Sequence, residues 1–98
     1  MSPYNKKKLN KLRKSLDIID KQLLNIFKRR TEIVKQVIKT KEFKKDIIDK
    51  KRIDVILKKI KKESIKKNID PIITKRIWKN MILSYIDFEK RNFKKKKL

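Results

Sequence analysis

Apolar residues recur along the first forty positions at alternating steps of three and four. Leu9, Leu12, Leu16, Ile19, Leu23, Ile26, Ile33 and Val37 trace one helical seam, interrupted by a charged residue only at position 30. Neither proline nor glycine breaks the pattern after Pro3, which predicts a single helix from about residue 6 to 41. At 1.5 Å per residue such a helix is roughly 50 Å long, against a radius of gyration near 13 Å for a compact chain of this size. The remaining residues are too few to cover that seam, and a second copy of the chain is the simplest cover. A homodimer is therefore expected.

Residues 42–49 (EFKKDIID) leave the pattern and read as a loop. Asp49 is placed to cap a second helix whose apolar stripe is Ile53, Ile56, Leu57 and Ile60. Asn68 suits the left-handed position that closes it. Asp70-Pro71 then combines a capping carboxylate with proline at the first helical position. The third helix is expected to carry Ile73, Ile77, Trp78, Met81, Ile82 and Tyr85 inward. Residues from about 90 to 98 (KRNFKKKKL) read as a frayed basic tail. No useful alternation of strand period occurs. The fold expected is all-α: three helices, one long and two shorter, in a single domain over residues 1–98.

Composition removes whole classes of chemistry. The chain has no Cys, no His and no Gly. Disulfides, Cys/His zinc sites, thiol nucleophiles and histidine-based triads are thereby excluded, as are glycine-rich phosphate loops and the dinucleotide fingerprint. No metal and no cofactor is expected. The longest apolar runs are Val55-Ile56-Leu57 and Met81-Ile82-Leu83, and no signal-peptide core follows Met1. That predicts a soluble, cytoplasmic protein with no membrane segment.

Charge is lopsided, with 33 Lys+Arg against 11 Asp+Glu and a formal net charge of +22. The 27 lysines and 17 isoleucines, with no alanine, fit drift toward A/T-rich codons that loads lysine onto tolerant surface positions. The six arginines, at positions 13, 29, 30, 52, 76 and 91, are more informative because they persist where lysine was the easy alternative. Arginine is retained where a planar fork must meet a carboxylate or phosphate.

Several of the charged residues fall on apolar faces. Arg30 occupies the long seam between Ile26 and Ile33, where a guanidinium needs an anion, either a protein carboxylate such as Asp20 or Glu32 or that of a ligand. Lys41 lies about three turns on, some 16 Å along nearly the same face, with Val34 and Val37 between. Glu89 continues the stripe Trp78, Ile82, Tyr85 at steps of four, three and four. Arg52 stands on the rim of the second helix's apolar face. Taken singly, Arg52 and Glu89 also read as surface groups at helix ends. Together, three cations and one acid on three faces that must pack describe a polar pocket in a helical core, suited to a small polyanion.

The order of these residues resembles the all-helical class of chorismate mutases. The likeness runs from Leu9 to about Glu89 and rests on Leu12-Arg13, Ile19-Asp20-x-x-Leu23-Leu24, Arg30-x-Glu32-Ile33-Val34, Lys41, Asp49-x-x-Arg52 and Ile77-Trp78 leading to Glu89. The resemblance implies an intertwined homodimer with two sites and chorismate, a dianion, as substrate. It implies that Arg13 reaches in from the second chain and that Arg13 and Arg30 grip the two carboxylates. Lys41 and Glu89 would face the ether oxygen, with Asp49 and Arg52 on the ring side and Tyr85 in the substrate pocket. The implied reaction is the [3,3] rearrangement of chorismate to prephenate in phenylalanine and tyrosine biosynthesis. It needs no nucleophile, metal or general base, only a held conformer and charge stabilisation, in keeping with a chain lacking Cys and His.

Two positions resemble another branch of the same fold. Ile53 stands where the mutases usually carry a glutamate, and Tyr85 where many have serine. The isochorismate pyruvate-lyases, which release pyruvate to leave salicylate, are similar at both, and this activity is the first alternative. The second is a non-catalytic basic helical module that binds nucleic acid. It is disfavoured because Arg30 and Glu89 lie on apolar stripes rather than on an exposed basic face.

Overall fold

The computed structural model describes residues 1–94 and contains three α-helices: α1 (Pro3–Thr40), α2 (Lys50–Lys66) and α3 (Pro71–Asn92). A 3-10 turn, Lys44–Ile47, joins the first two, and no strand occurs among the described residues. The all-helical expectation of one long and two shorter helices holds. The chain divides into two compact units, residues 1–33 and the remainder from Val34.

The first unit is the greater part of α1. It starts earlier than its apolar seam because Pro3 supplies a preset φ at the first helical position and Ser2 caps it, accepting from the Asn5 N–H at 3.2 Å. None of its residues is fully buried. Leu12, Leu16, Ile19, Leu23, Ile26 and Ile33 are all 45–61% exposed. A continuous apolar seam left this open is the mark of an interaction face.

In the second unit α1 ends at Thr40, whose hydroxyl donates to the Val37 carbonyl at 2.7 Å. Residues 42–49, expected to be a plain loop, form the 3-10 turn. Its Ile47 is the most buried apolar residue of the core, beside Ile38 and Ile82. Asp46 holds the turn by accepting from the Phe43 N–H at 3.1 Å. Asp49 caps α2 through the Arg52 N–H at 3.0 Å. At the other end Asn68 takes φ 55°, and the Ile69 and Asn68 N–H groups return to the carbonyls of Ser64 and Ile65, satisfying two orphan acceptors. Asp70 accepts from the Ile72 N–H at 2.9 Å and Pro71 opens α3. All three caps sit where local chemistry predicts.

α3 packs against α2 and also against the 3-10 turn. Its inward face differs from the one expected. Ile73 and Ile77 remain about half exposed, while Thr74 and Ile82 are buried, flanked along the helix by half-buried Trp78, Met81 and Tyr85. The physical reason is a polar contact at the hairpin: the Ser64 and Thr74 hydroxyls meet at 2.7 Å, and Ser64 Oγ also lies 2.6 Å from the Ile60 carbonyl. That pair turns the Thr74 edge of α3 toward α2. α3 further continues to Asn92, so the start of the presumed tail is helical, and residues 95–98 lie outside the described residues.

The Ser64–Thr74 contact generates a stability prediction. Thr74→Val keeps the shape but removes one hydroxyl, and Ser64 retains the Ile60 carbonyl as acceptor. A loss of about 1 kcal/mol in urea unfolding is expected, the usual net worth of such a bond. Ser64→Ala in the Thr74→Val background should then cost less than it does alone.

Candidate active site

Lysine and arginine are surface residues by default, since an unpaired cation that loses water is penalised heavily. Among the described residues every lysine is exposed except Lys41, and every arginine except Arg30. These are two of the cations singled out for falling on an apolar seam. Arg30 is half-buried on α1, in the first unit, with its Nη1 shielded from solvent. Lys41 follows the last residue of α1 and is held there by its backbone N–H, which donates to the Ile38 carbonyl at 3.1 Å. Position immediately after a helix C-terminus favours a cation, because the aligned peptide dipoles leave negative partial charge there.

Within the second unit, Lys41 and Asp49 line one open cavity of about 470 Å³ together with Lys45, Asp46 and Lys50. The Asp49 carboxylate already has a structural task, capping α2 through the Arg52 backbone. The Arg52 side chain is exposed. Glu89 is half-buried on α3, one turn beyond half-buried Tyr85, and α3 runs three residues past it. It is thus not a solvent-facing helix end. Tyr85 packs edge-on against Phe88, with ring centroids 6.3 Å apart. Ile53 is half-buried with Ile56, Leu57 and Ile60 on the α2 stripe. Arg13, in the first unit, is exposed.

The other arginines separate from this group. Arg91 pairs with Asp87 at 2.8 Å on the exposed side of α3, and Arg29 and Arg76 are exposed. A second cavity, about 360 Å³, lies at the α2–α3 hairpin between Leu57, Ile60, Pro71 and Ile72. It contains none of the residues expected at a site. Sequence reasoning missed Lys45 and Asp46, which join Lys41 and Asp49 around the first cavity. Asp46 three residues after Phe43 was the available signal, since that spacing allows an aspartate to cap a turn.

The half-buried ionisable groups number few enough to be informative. Among the described acids only Asp46, Glu63 and Glu89 are shielded; the first caps the 3-10 turn and the second forms an exposed-side pair with Lys66 at 3.8 Å. Glu89 is the third, on the shielded edge of α3. No cluster of acidic residues able to hold a metal ion occurs among the described residues, and no described helix is long and apolar enough to cross a membrane.

Comparison with known proteins places this arrangement in a family. No curated protein and no solved structure gives a significant match. The family model described as chorismate mutase type II matches residues 12–90, which include α2 and every candidate residue from Arg13 to Glu89. With most of the chain matched, the protein belongs to the chorismate mutase type II family.

Proposed function

We propose that the chain is a chorismate mutase of phenylalanine and tyrosine biosynthesis, acting as an intertwined homodimer. The observation that carries this reading is the selective shielding of Arg30 and Lys41 in a chain whose other described basic residues are all exposed. Two such cations on shielded positions suit the carboxylates of a dianionic substrate. The family match supplies the reaction.

In this mechanism Arg30, with Arg13 of the second copy, takes the two carboxylates of chorismate and holds the folded conformer in which the reacting carbons meet. The ether C–O bond breaks as the new C–C bond forms, so no proton or leaving group has to be removed. Negative charge grows on the ether oxygen during that step. The Lys41 ammonium stabilises it, and a protonated Glu89 donates a hydrogen bond to it. Asp49 and Arg52 bind on the ring side, and Tyr85 lines the pocket next to Glu89. Isochorismate pyruvate-lyase activity is the second reading, favoured by the half-buried apolar side chain of Ile53 and by Tyr85. Incubation with chorismate and with isochorismate separates the two: prephenate from the first supports the mutase, salicylate from the second the lyase, and neither product removes both.

The open seam of α1 gives the dimer its driving force, since its six largely exposed aliphatic side chains gain from leaving water. Light scattering should report twice the 12.0 kDa chain mass at micromolar concentration. A folded monomer would remove the shared site.

Arg30→Lys should lower kcat/KM by roughly 2–4 kcal/mol equivalent, because a point charge cannot reproduce the fork on a carboxylate. The exposed Arg76, changed to Lys, serves as control and should lose little. Equal small effects would make Arg30 structural.

Glu89 predicts a pH dependence. Only the protonated acid donates, so kcat should be highest on the acidic side and fall as Glu89 ionises with rising pH. Glu89→Gln donates at every pH and should flatten that decline. An identical decline in both proteins would take Glu89 away from the ether oxygen.

A further inference from the structure

We propose that the outer strip of α1 in the first unit is a docking surface for duplex DNA, gripped through its phosphodiester backbone without base readout. Lys7, Lys14, Lys21 and Lys28 repeat at steps of seven and are all exposed on one uninterrupted helix. Steps of seven drift by only about 20° on a helix, so the four stay within a strip roughly 60° wide. The strip lies opposite the apolar seam of Leu12, Leu16, Ile19, Leu23 and Ile26, on the face that remains in water when the seam is covered. None of the four lysines forms an ion pair or hydrogen bond among the described residues.

Lysine drift alone does not account for this placement. The positions beside the strip are Asn10, Asp17, Leu24 and Thr31 on one flank and Lys11, Ile18, Asn25 and Glu32 on the other. They are open to the same substitution pressure, yet only one is a lysine. Between residues 12 and 28 the lysines fall on this line alone, and Lys6, Lys8, Lys11 and Arg13 broaden the charge at its N-terminal end; the line has a repeat of about 10.5 Å and a length of about 31 Å. A straight row of compact ammonium charges complements a rod of regularly spaced phosphates. A single strand would call for aromatic platforms along the row, and Tyr4 at its start is the sole aromatic there. A lipid surface would call for the apolar seam opposite the lysines to stay free, and in the proposed homodimer that seam is covered.

The surface uses no residue assigned to the mutase site, and it rests on the proposed reading only for the homodimer that covers the seam. The test is fluorescence anisotropy of a labelled 30-base-pair DNA of random sequence, titrated with the full chain at several salt concentrations. Four phosphates neutralised by the strip give a slope of log K against log salt of about −3.6, or roughly 100-fold weaker binding between 50 and 200 mM. Replacing Lys7, Lys14, Lys21 and Lys28 together by Gln, which preserves helix propensity, should abolish that share of the slope and weaken binding about 100-fold at 50 mM. A second variant, with exposed Lys59, Lys62, Lys75 and Lys79 changed to Gln, has the same net charge and should bind nearly as the parent does. Helical circular dichroism confirms that both variants fold. Equal losses in the two variants would reduce the effect to bulk charge and overturn the proposal. So would tighter binding to a single-stranded oligonucleotide, or to phosphatidylserine vesicles, than to the duplex.

Discussion

A cation that surrenders part of its hydration must recover it from an anion, and in a protein carrying a net charge of +22 anions are scarce. That constraint organises the candidate site. With 33 basic residues against 11 acidic ones, most of the cations stay in water by default. The chain keeps its described basic residues in water and shields two, Arg30 and Lys41. The same scarcity explains why electrostatic catalysis suits this chain: its only abundant chemical resource is fixed positive charge.

Presenting those charges depends on a small number of local devices. The chain makes its reversals without glycine. Asp46 holds the 3-10 turn, Asp49 and Asp70 cap the two following helices, and Asn68 supplies the left-handed turn. Three of the 11 acidic residues are thus committed to backbone N–H groups rather than to the lysine excess. Between α2 and α3 the buried contact is itself polar, a Ser64–Thr74 hydroxyl pair. A hydroxyl pair is directional where an apolar contact is not, and it sets the rotation of α3 about its axis. That rotation places Trp78, Ile82, Tyr85 and Glu89 on one shielded edge.

The long helix carries two opposed faces in its first unit. One is an apolar seam with side chains about half exposed, the other a line of lysines. Among the described residues, a core in which Ile38, Ile47 and Ile82 are the buried apolar residues is small for a chain of this length, and the seam is a large reserve of apolar surface still open. In the proposed homodimer that reserve becomes core, and the opposite face becomes the dimer's exterior.

Local chemistry was legible in the amino-acid order, because it acts over three or four residues. The helical period of α1, the caps at Asp49, Asn68 and Asp70-Pro71, and the conflict of Arg30 and Glu89 with their apolar stripes all followed from spacing, and so did membership of the family. Residues 42–49 were less so, since a 3-10 turn has too few positions to show a period, and nothing in EFKKDIID marks Ile47 as core. The inward edge of α3 was misjudged for a related reason. Hydropathy ranks Ile73 above Thr74, but Thr74 is buried because Ser64, ten positions earlier, brings a hydroxyl against it. Lys45 and Asp46 likewise joined Lys41 and Asp49 only once the chain had turned. Periodicity says which side chains prefer to leave water; which of them do so is decided by the partner surface, and that exists only after the helices have packed.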